Sequence, residues 1–403
     1  MKRREFLAAA AGVALLRADG FEWRTPPPPG CPAPPSPLLK GLRFTGSHAE
    51  YADADTWYPS WATDGNLYSP WTDGKVSGVS CSSAGKNART GHAKIMGDSP
   101  LHLEIGEAAT YPSSPAPYGG RYPCGSLVHN GVWYYGTYCL DDSNGDPIPS
   151  KGLDYDVLGP CVGFRWSTDF GKTWTQTPHT PSAPLFGEPA KQDALVKMGA
   201  PHFVDFGRNM EHSPDGKAYL VGHGAWPADP HPRPARLSWI TGDRIYLARV
   251  EPSIANMNDR SKYEYFAGRA PGDQPLWTRD LNRAQPIFEW NNNAGCVTMT
   301  YNPGLKCYLM CITDGVGTVE KFNSYILESE RVTGPWKLVE YLKDFGEQAY
   351  FVNVPSKFLS PDGRSGWLLY AANFSNCCTN WPSHRPNPAG SRYGMCWQEI
   401  RFL

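Results

Sequence analysis

The chain has 403 residues, 40% of them hydrophobic and 13% aromatic, with 41 Gly, 39 Pro and a formal net charge of -1. That length and apolar content can bury a large core, and the abundance of turn residues favours an all-β protein. With 38 basic against 39 acidic residues there is no net field to attract phosphates, which argues against nucleic acid as a partner.

Residues 1–20 read as a basic start, the pair Arg3-Arg4 followed by Phe6 and Leu7, and an apolar run from Leu7 to Leu16. This pattern resembles a bacterial twin-arginine export signal. The run is shorter than the roughly 20 residues a membrane span needs, so the mature protein is expected in the periplasm or outside the cell, without a span. Residues 21–38 carry Pro26 to Pro29, Pro32, Pro34, Pro35 and Pro37, a composition that predicts an extended tether. One folded domain is expected over 39–403. Eleven cysteines are an odd number for an oxidising compartment. Cys124 and Cys139 could face each other across the hairpin-like stretch Ser126 to Tyr138, or be two buried thiols. Neither Cys307 and Cys311 nor the adjacent Cys377 and Cys378 have His at zinc-finger spacing.

The stretch Ala52 to Gly74 concentrates carboxylates and aromatics around Asp64-Gly65, and an Asp-Gly step between apolar runs is a strong hairpin signal. Asp55 and Asp73 lie symmetrically about it. Strict pairing would put them directly opposite on one face, with a slip through a bulge expected because Pro59 and Pro70 interrupt the ladder. Two such carboxyls suit glycoside hydrolysis by a general acid with a nucleophile or base, although Asp beside Gly is also ordinary turn chemistry. Trp57, in the same stretch, is a candidate surface for stacking a sugar.

A strand-turn-strand unit then recurs, with turns at Asn130-Gly131, Pro214-Asp215-Gly216, Asn302-Pro303-Gly304 and Pro361-Asp362-Gly363. With the Asp64-Gly65 unit this makes five. Such a series predicts a β-propeller, most naturally five-bladed with six or seven as alternatives, closed by pairing of the stretch Tyr393 to Phe402 with N-terminal sequence. Ser167 to Trp174, STDFGKTW, fits the Asp-box pattern of sialidase-like propellers. Its Ser and Asp close a turn, so Asp169 is structural and not catalytic.

With those residues laid out, the chain resembles bacterial propeller glycoside hydrolases of the endo-D-arabinanase kind. The resemblance rests on the two-Asp hairpin, on ITGDRIYLARVEPS (Ile240 to Ser253), YEYFAG (Tyr263 to Gly268), LWTRDLNRAQPIF (Leu276 to Phe288), VTMTYNPGLKCYLM (Val297 to Met310) and Gly334-Pro335-Trp336. It implies essential acids in the first blade, at the positions occupied by Asp55 and Asp73. The chain departs from the family in reading TWYPSW and SPWTDG there, with a further acid at Asp53, so arabinan does not follow as the substrate.

Further candidates for substrate contact are His92 and Asp98, then His202, Asp205 and Arg208, then Tyr350 and Asn353 near Glu347, Gln348 and Lys357, and finally Arg392 beside Tyr393. In a period-two strand His202 and Asp205 point apart. Arg and Lys at such positions would suit a uronic acid. No P-loop, dinucleotide fingerprint, zinc-protease helix or nucleophile-elbow motif is present, so nucleotide binding, zinc proteolysis and the α/β-hydrolase triad lack support. Three readings remain: a glycoside hydrolase using the Asp pair, a polysaccharide lyase using His92 or His202 with a Tyr and a cation, and a non-catalytic sugar-binding propeller. A monomer acting on carbohydrate without a required cofactor is expected, with a calcium ion in the central channel left open.

Overall fold

The computed structural model describes residues 20–83, 87–113, 122–140, 159–188, 196–225, 239–315, 320–372 and 387–403. The twin-arginine stretch and Cys377-Cys378 lie outside the described residues. Among those residues, only Ile254–Met257 and four short 3-10 turns interrupt strands and loops.

Five antiparallel sheets follow one another along the chain. In the first blade Asp53–Asp55 and Ser60–Trp61 pair with Leu67–Val76, followed outward by Arg89–Met96 and Glu104–Pro112. The second holds Tyr122–His129, Val132–Tyr138 and Cys161–Ser167; the third runs from Gly199–Phe203 through Ala218–Gly224 and Arg244–Val250 to Glu264–Arg269 and Pro275–Thr278. Gly295–Asn302, Cys307–Asp314, Asn323–Ser329 and Lys337–Leu342 form the fourth. The fifth is composite. Tyr350–Asn353, Ser365–Ala371 and Met395–Phe402 are completed by Leu42–Tyr51 from the beginning of the domain, in a register that runs from Leu42 opposite Phe402 to Tyr51 opposite Met395. This is the expected closed, five-bladed β-propeller.

Each of the turns read from the sequence joins a blade's first strand to its second. At Asn130 and Gly131, φ is 48° and 78°, the left-handed pair that a two-residue hairpin of matching twist requires. The blades' first strands surround one axis: Tyr58, Ser126, His202, Thr298 and Asn353, one from each blade, line a common axial pocket. Strand starts converge at one end of this axis, and the tight turns lie at the other.

The Pro-rich segment is not a free tether. Phe21–Glu22 pair with Leu42–Tyr51, Trp23 packs edge-on against Phe345 with ring centroids 5.5 Å apart, and the Pro34 carbonyl accepts the Leu338 amide at 2.8 Å. Ser36 Oγ donates to Glu328 Oε1 at 2.8 Å. Proline lacks an N–H but keeps its carbonyl, so a Pro-rich strip can still accept hydrogen bonds from an open sheet edge. Cys124 does not meet Cys139 either. A bulge places Gly136 opposite Cys124, and the Cys124 thiol lies against Cys161 instead.

Candidate active site

The first hairpin turns where the sequence indicated. Ser60 lies opposite Tyr68 and Trp61 opposite Leu67, while Asp64 accepts hydrogen bonds from the Asn66 amide at 3.0 Å and the Tyr68 hydroxyl at 2.7 Å. Farther along, Asp53 pairs with Lys75 but Asp55 with Thr72, so one extra residue is accommodated between them. Asp73 takes it up with a φ of 41°. At Gly74 a Cβ would fall 1.8 Å from the Asp53 carbonyl oxygen, so only glycine fits this crossing. The bulge therefore removes Asp73 from the position opposite Asp55 and re-aims it, and both line one pocket with Thr56, Thr72, Tyr122, Tyr138, Leu140, Trp239, Tyr350 and Phe351.

The two carboxyls are held differently. Asp55 is buried; its Oδ2 accepts the Tyr350 hydroxyl at 2.7 Å, and Thr56 Oγ1 lies 3.3 Å from its Oδ1. Burial, reinforced by the neighbouring Asp73 charge, pushes its pKa well above the usual carboxylate range, against the pull of donors from Tyr350, Tyr393 and Thr56. Asp73 accepts the Ser83 amide on Oδ1 and the Ser83 hydroxyl on Oδ2, both at 2.7 Å. Burial raises it too, and the Ser83 donors hold it back. Tyr393 adds a 2.6 Å hydrogen bond to the Asp73 carbonyl. Such an arrangement favours one proton on Asp55 while Asp73 carries the charge.

Of the remaining candidates, only Tyr350 joins this pocket. His202, Asp205 and Asn353 line the lower, axial pocket. The His202 ring is buried between Tyr58 and Phe351, with its pKa lowered to about 3 by burial and by His223. Asp205 accepts the Ser356 amide and hydroxyl, each at 2.7 Å. Trp57 is core: it stacks on Trp71 and donates to the Ala54 carbonyl at 2.9 Å. His92 sits 3.0 Å from the Gly171 carbonyl and packs against Trp174, bracing the Asp box. Asp98 faces Lys357 at 3.6 Å and Arg208 donates to the Thr63 carbonyl, both at the turn end. Arg392 is engaged by Glu50 and Asp53. Each thus lies outside the carboxyl pocket: Trp57, His92 and His202 by ring packing, Asp205, Arg208 and Arg392 by hydrogen bonds or ion pairs, and Asp98 by exposure at the turn end.

Sequence reasoning passed over Ser83, Tyr122, Tyr138 and Trp239. Tyr122 opens the first strand of the second blade as Tyr350 opens that of the fifth, a likeness visible only once the strands are placed; Trp239 lies in a loop. Among the described residues no group of three or more His, Cys, Asp or Glu could hold a metal ion, and no helix is long and apolar enough to cross a membrane.

No family model and no curated protein sequence matches the chain. Solved structures that it is similar to include a family 32 β-fructofuranosidase of Bombyx mori, at 12% identity and a TM-score of 0.48 over 89% of this chain and 63% of that one. A family 117 glycoside hydrolase of Zobellia galactanivorans has 13% identity and a TM-score of 0.47 over 90% of each chain. A thermostable family 43 glycoside hydrolase has 13% identity and a TM-score of 0.45 over 91% of each. Likeness at this level carries no argument about chemistry, which rests on the pocket itself.

Proposed function

We propose that the protein hydrolyses glycosidic bonds, with Asp55 as general acid and Asp73 as base or nucleophile. The observation that carries this reading is the pair itself: two carboxyls from adjoining strands share one pocket, yet their hydrogen bonds and burial push their proton affinities apart. Asp55 would give its proton to the glycosidic oxygen as the bond to the anomeric carbon breaks. Asp73 would either take a proton from the incoming water or bond to that carbon until water releases it. The motif resemblance to endo-D-arabinanases points to the same two residues.

The lyase reading is less well supported, since His92 and His202 both lie away from the carboxyl pair and burial lowers their pKa values to about 4 and about 3, which makes them weak bases for abstracting a sugar proton. Incubation with a polysaccharide panel, recording reducing ends and the absorbance of unsaturated uronates, separates the classes. New reducing ends alone support hydrolysis, both signals indicate a lyase, and neither indicates a sugar-binding propeller. Export through Arg3 and Arg4 belongs to the same proposal; replacing both by Lys should retain the protein in the cytoplasm, and unchanged export would refute it.

A further inference from the structure

We infer that Tyr393 is a positioning residue that couples the proton on Asp55 to the placement of Asp73, by giving its one hydroxyl hydrogen to one or the other. The inference rests on the hydrolase reading for its catalytic consequence and adds a residue to it. Tyr393 lies in the loop just before Met395–Phe402. Its neighbour Arg392 is held by Glu50 and Asp53 and donates to the Tyr393 carbonyl at 3.2 Å. On the other side, Gly394 runs so close to the first blade that a Cβ there would fall 2.4 Å from the Ala52 carbonyl oxygen. The ring is thus anchored from both flanks, and its hydroxyl donates at 2.6 Å to the Asp73 carbonyl. Asp73 is the bulge residue, and it stands opposite no residue in the registers that its strand makes with Asp53–Asp55, Val79–Cys81 or Arg89–Met96. Tyr393 therefore holds a peptide unit that those registers leave out.

The same hydroxyl also acts as a donor toward the Asp55 carboxyl, and a phenol has a single hydrogen to give. While Asp55 keeps its proton, the Asp73 carbonyl takes that hydrogen. Once Asp55 is ionised its carboxylate is the stronger acceptor and draws the hydrogen away. No proton leaves the tyrosine; only the direction of its O–H changes. As Asp55 gives its proton to the glycosidic oxygen, Tyr393 thus stabilises the charge left behind and releases the bulge that carries Asp73, freeing it to approach the anomeric carbon. Among the described residues, the titratable groups that face Asp55 are Asp73, Cys81, Tyr58, Tyr138, Tyr350 and Tyr393. Burial pushes the four phenols and the thiol up, Cys81 to about 12, so of these Asp73 alone carries charge near neutral pH.

The test uses the purified full chain, and its first stage needs no substrate. Infrared difference spectroscopy follows the protonated carboxyl band of Asp55, identified by its loss in Asp55→Asn. Nuclear magnetic resonance of glycine-labelled protein follows the amide of Gly74, whose nitrogen shares a peptide unit with the Asp73 carbonyl. In the wild type the Gly74 shift should change at the same pH midpoint as the band. Tyr350→Phe removes a donor to Asp55 and leaves the Tyr393 hydroxyl in place, so both midpoints should rise together. In Tyr393→Phe, which keeps the ring, the band midpoint should rise by roughly one to two units, the worth of one hydrogen bond to a charged group, and the matching Gly74 transition should vanish. A wild-type Gly74 signal indifferent to Asp55 would overturn the inference without recourse to any variant. So would a Gly74 transition of full size, or an unmoved band, in Tyr393→Phe. With a glycan that the protein hydrolyses, the alkaline limb of kcat/KM should move up with the band in Tyr393→Phe; a limb that stays behind would remove Tyr393 from catalysis. Titrations as expected in a chain that hydrolyses no glycan would refute the hydrolase reading and leave the exchange of acceptors standing.

Discussion

The Tyr350 hydroxyl donates at 2.7 Å to Asp55, 295 residues earlier in the chain, joining the innermost strand of the last blade to that of the first. The hydrogen bond crosses the interface between the last blade and the first. Asp55 is thus positioned by ring closure as much as by its own hairpin.

Removing a positioned general acid typically costs about 10²–10⁴ in rate. Asp55→Asn and Asp73→Asn should each lower kcat by that order while leaving the dissociation constant of a bound saccharide within a few-fold of the original. Steady-state kinetics beside calorimetric titration checks this, and near-normal turnover in either variant would remove the pair from the mechanism.

The hydrogen bonds predict the direction of pH effects. Tyr350 donates to the ionised form of Asp55 and so lowers its pKa; Tyr350→Phe should therefore move the alkaline limb of kcat/KM to higher pH. Ser83→Ala removes a donor to Asp73, raises that pKa, and should move the acid limb upward. Limbs that stay in place in both variants would contradict the assignment.

Stability should carry the imprint of Asp55. Its folded-state pKa is raised, so the folded protein binds this proton more tightly than the unfolded chain. That contribution is present below the unfolded value of about 3.9 and is lost as pH rises toward the folded value. Relative to the wild type, Asp55→Asn should therefore gain in melting temperature as pH rises from 4 to 8, which scanning calorimetry can follow.

Asp169 behaves oppositely. Its carboxylate accepts from the Thr173 hydroxyl and amide and from Ser167, bonds that lower its pKa to about 2. The stabilisation is present above the unfolded value and is lost as pH falls through about 2. Asp169→Asn should lower the melting temperature at neutral pH and leave kcat of the folded fraction unchanged.

At the turn end, Lys357 Nζ donates to the Gly65 carbonyl at 2.7 Å and the Gly97 carbonyl at 2.6 Å, with a side chain only 5% exposed. Lys357→Met leaves these acceptors without their donor, at a cost of about 1–3 kcal/mol. Urea unfolding should show that loss, and KM should be preserved because Asp55 lies at the other end of the strands.

The fold was legible because its information is local. Asp64-Gly65, Asn130-Gly131 and Pro361-Asp362-Gly363 each specify a turn from a few residues, and five such turns pointed to five blades. The acids were legible as a pair, and Pro59 and Pro70 signalled a slipped register, but not its place: a period-two count through Asp64 cannot locate the crossing at Gly74. Trp57 and Arg392 show the opposite limit. An aromatic ring beside an acid is equally suited to a sugar or to another indole, and an arginine suits a uronate or a neighbouring Glu50; only the tertiary partner decides. Tyr350 was named for its place in a polar stretch, while the bond to Asp55 that gives it meaning spans 295 residues.

The composite fifth blade makes the pocket depend on a strand that is synthesised late. Until Met395–Phe402 emerges there is no strand for Leu42–Tyr51 to join, and until they join, Tyr350 and Tyr393 have no fixed relation to the acids. A nascent chain would carry both aspartates for most of its elongation without the surroundings that set them apart, so its chemistry would begin only with the finished ring.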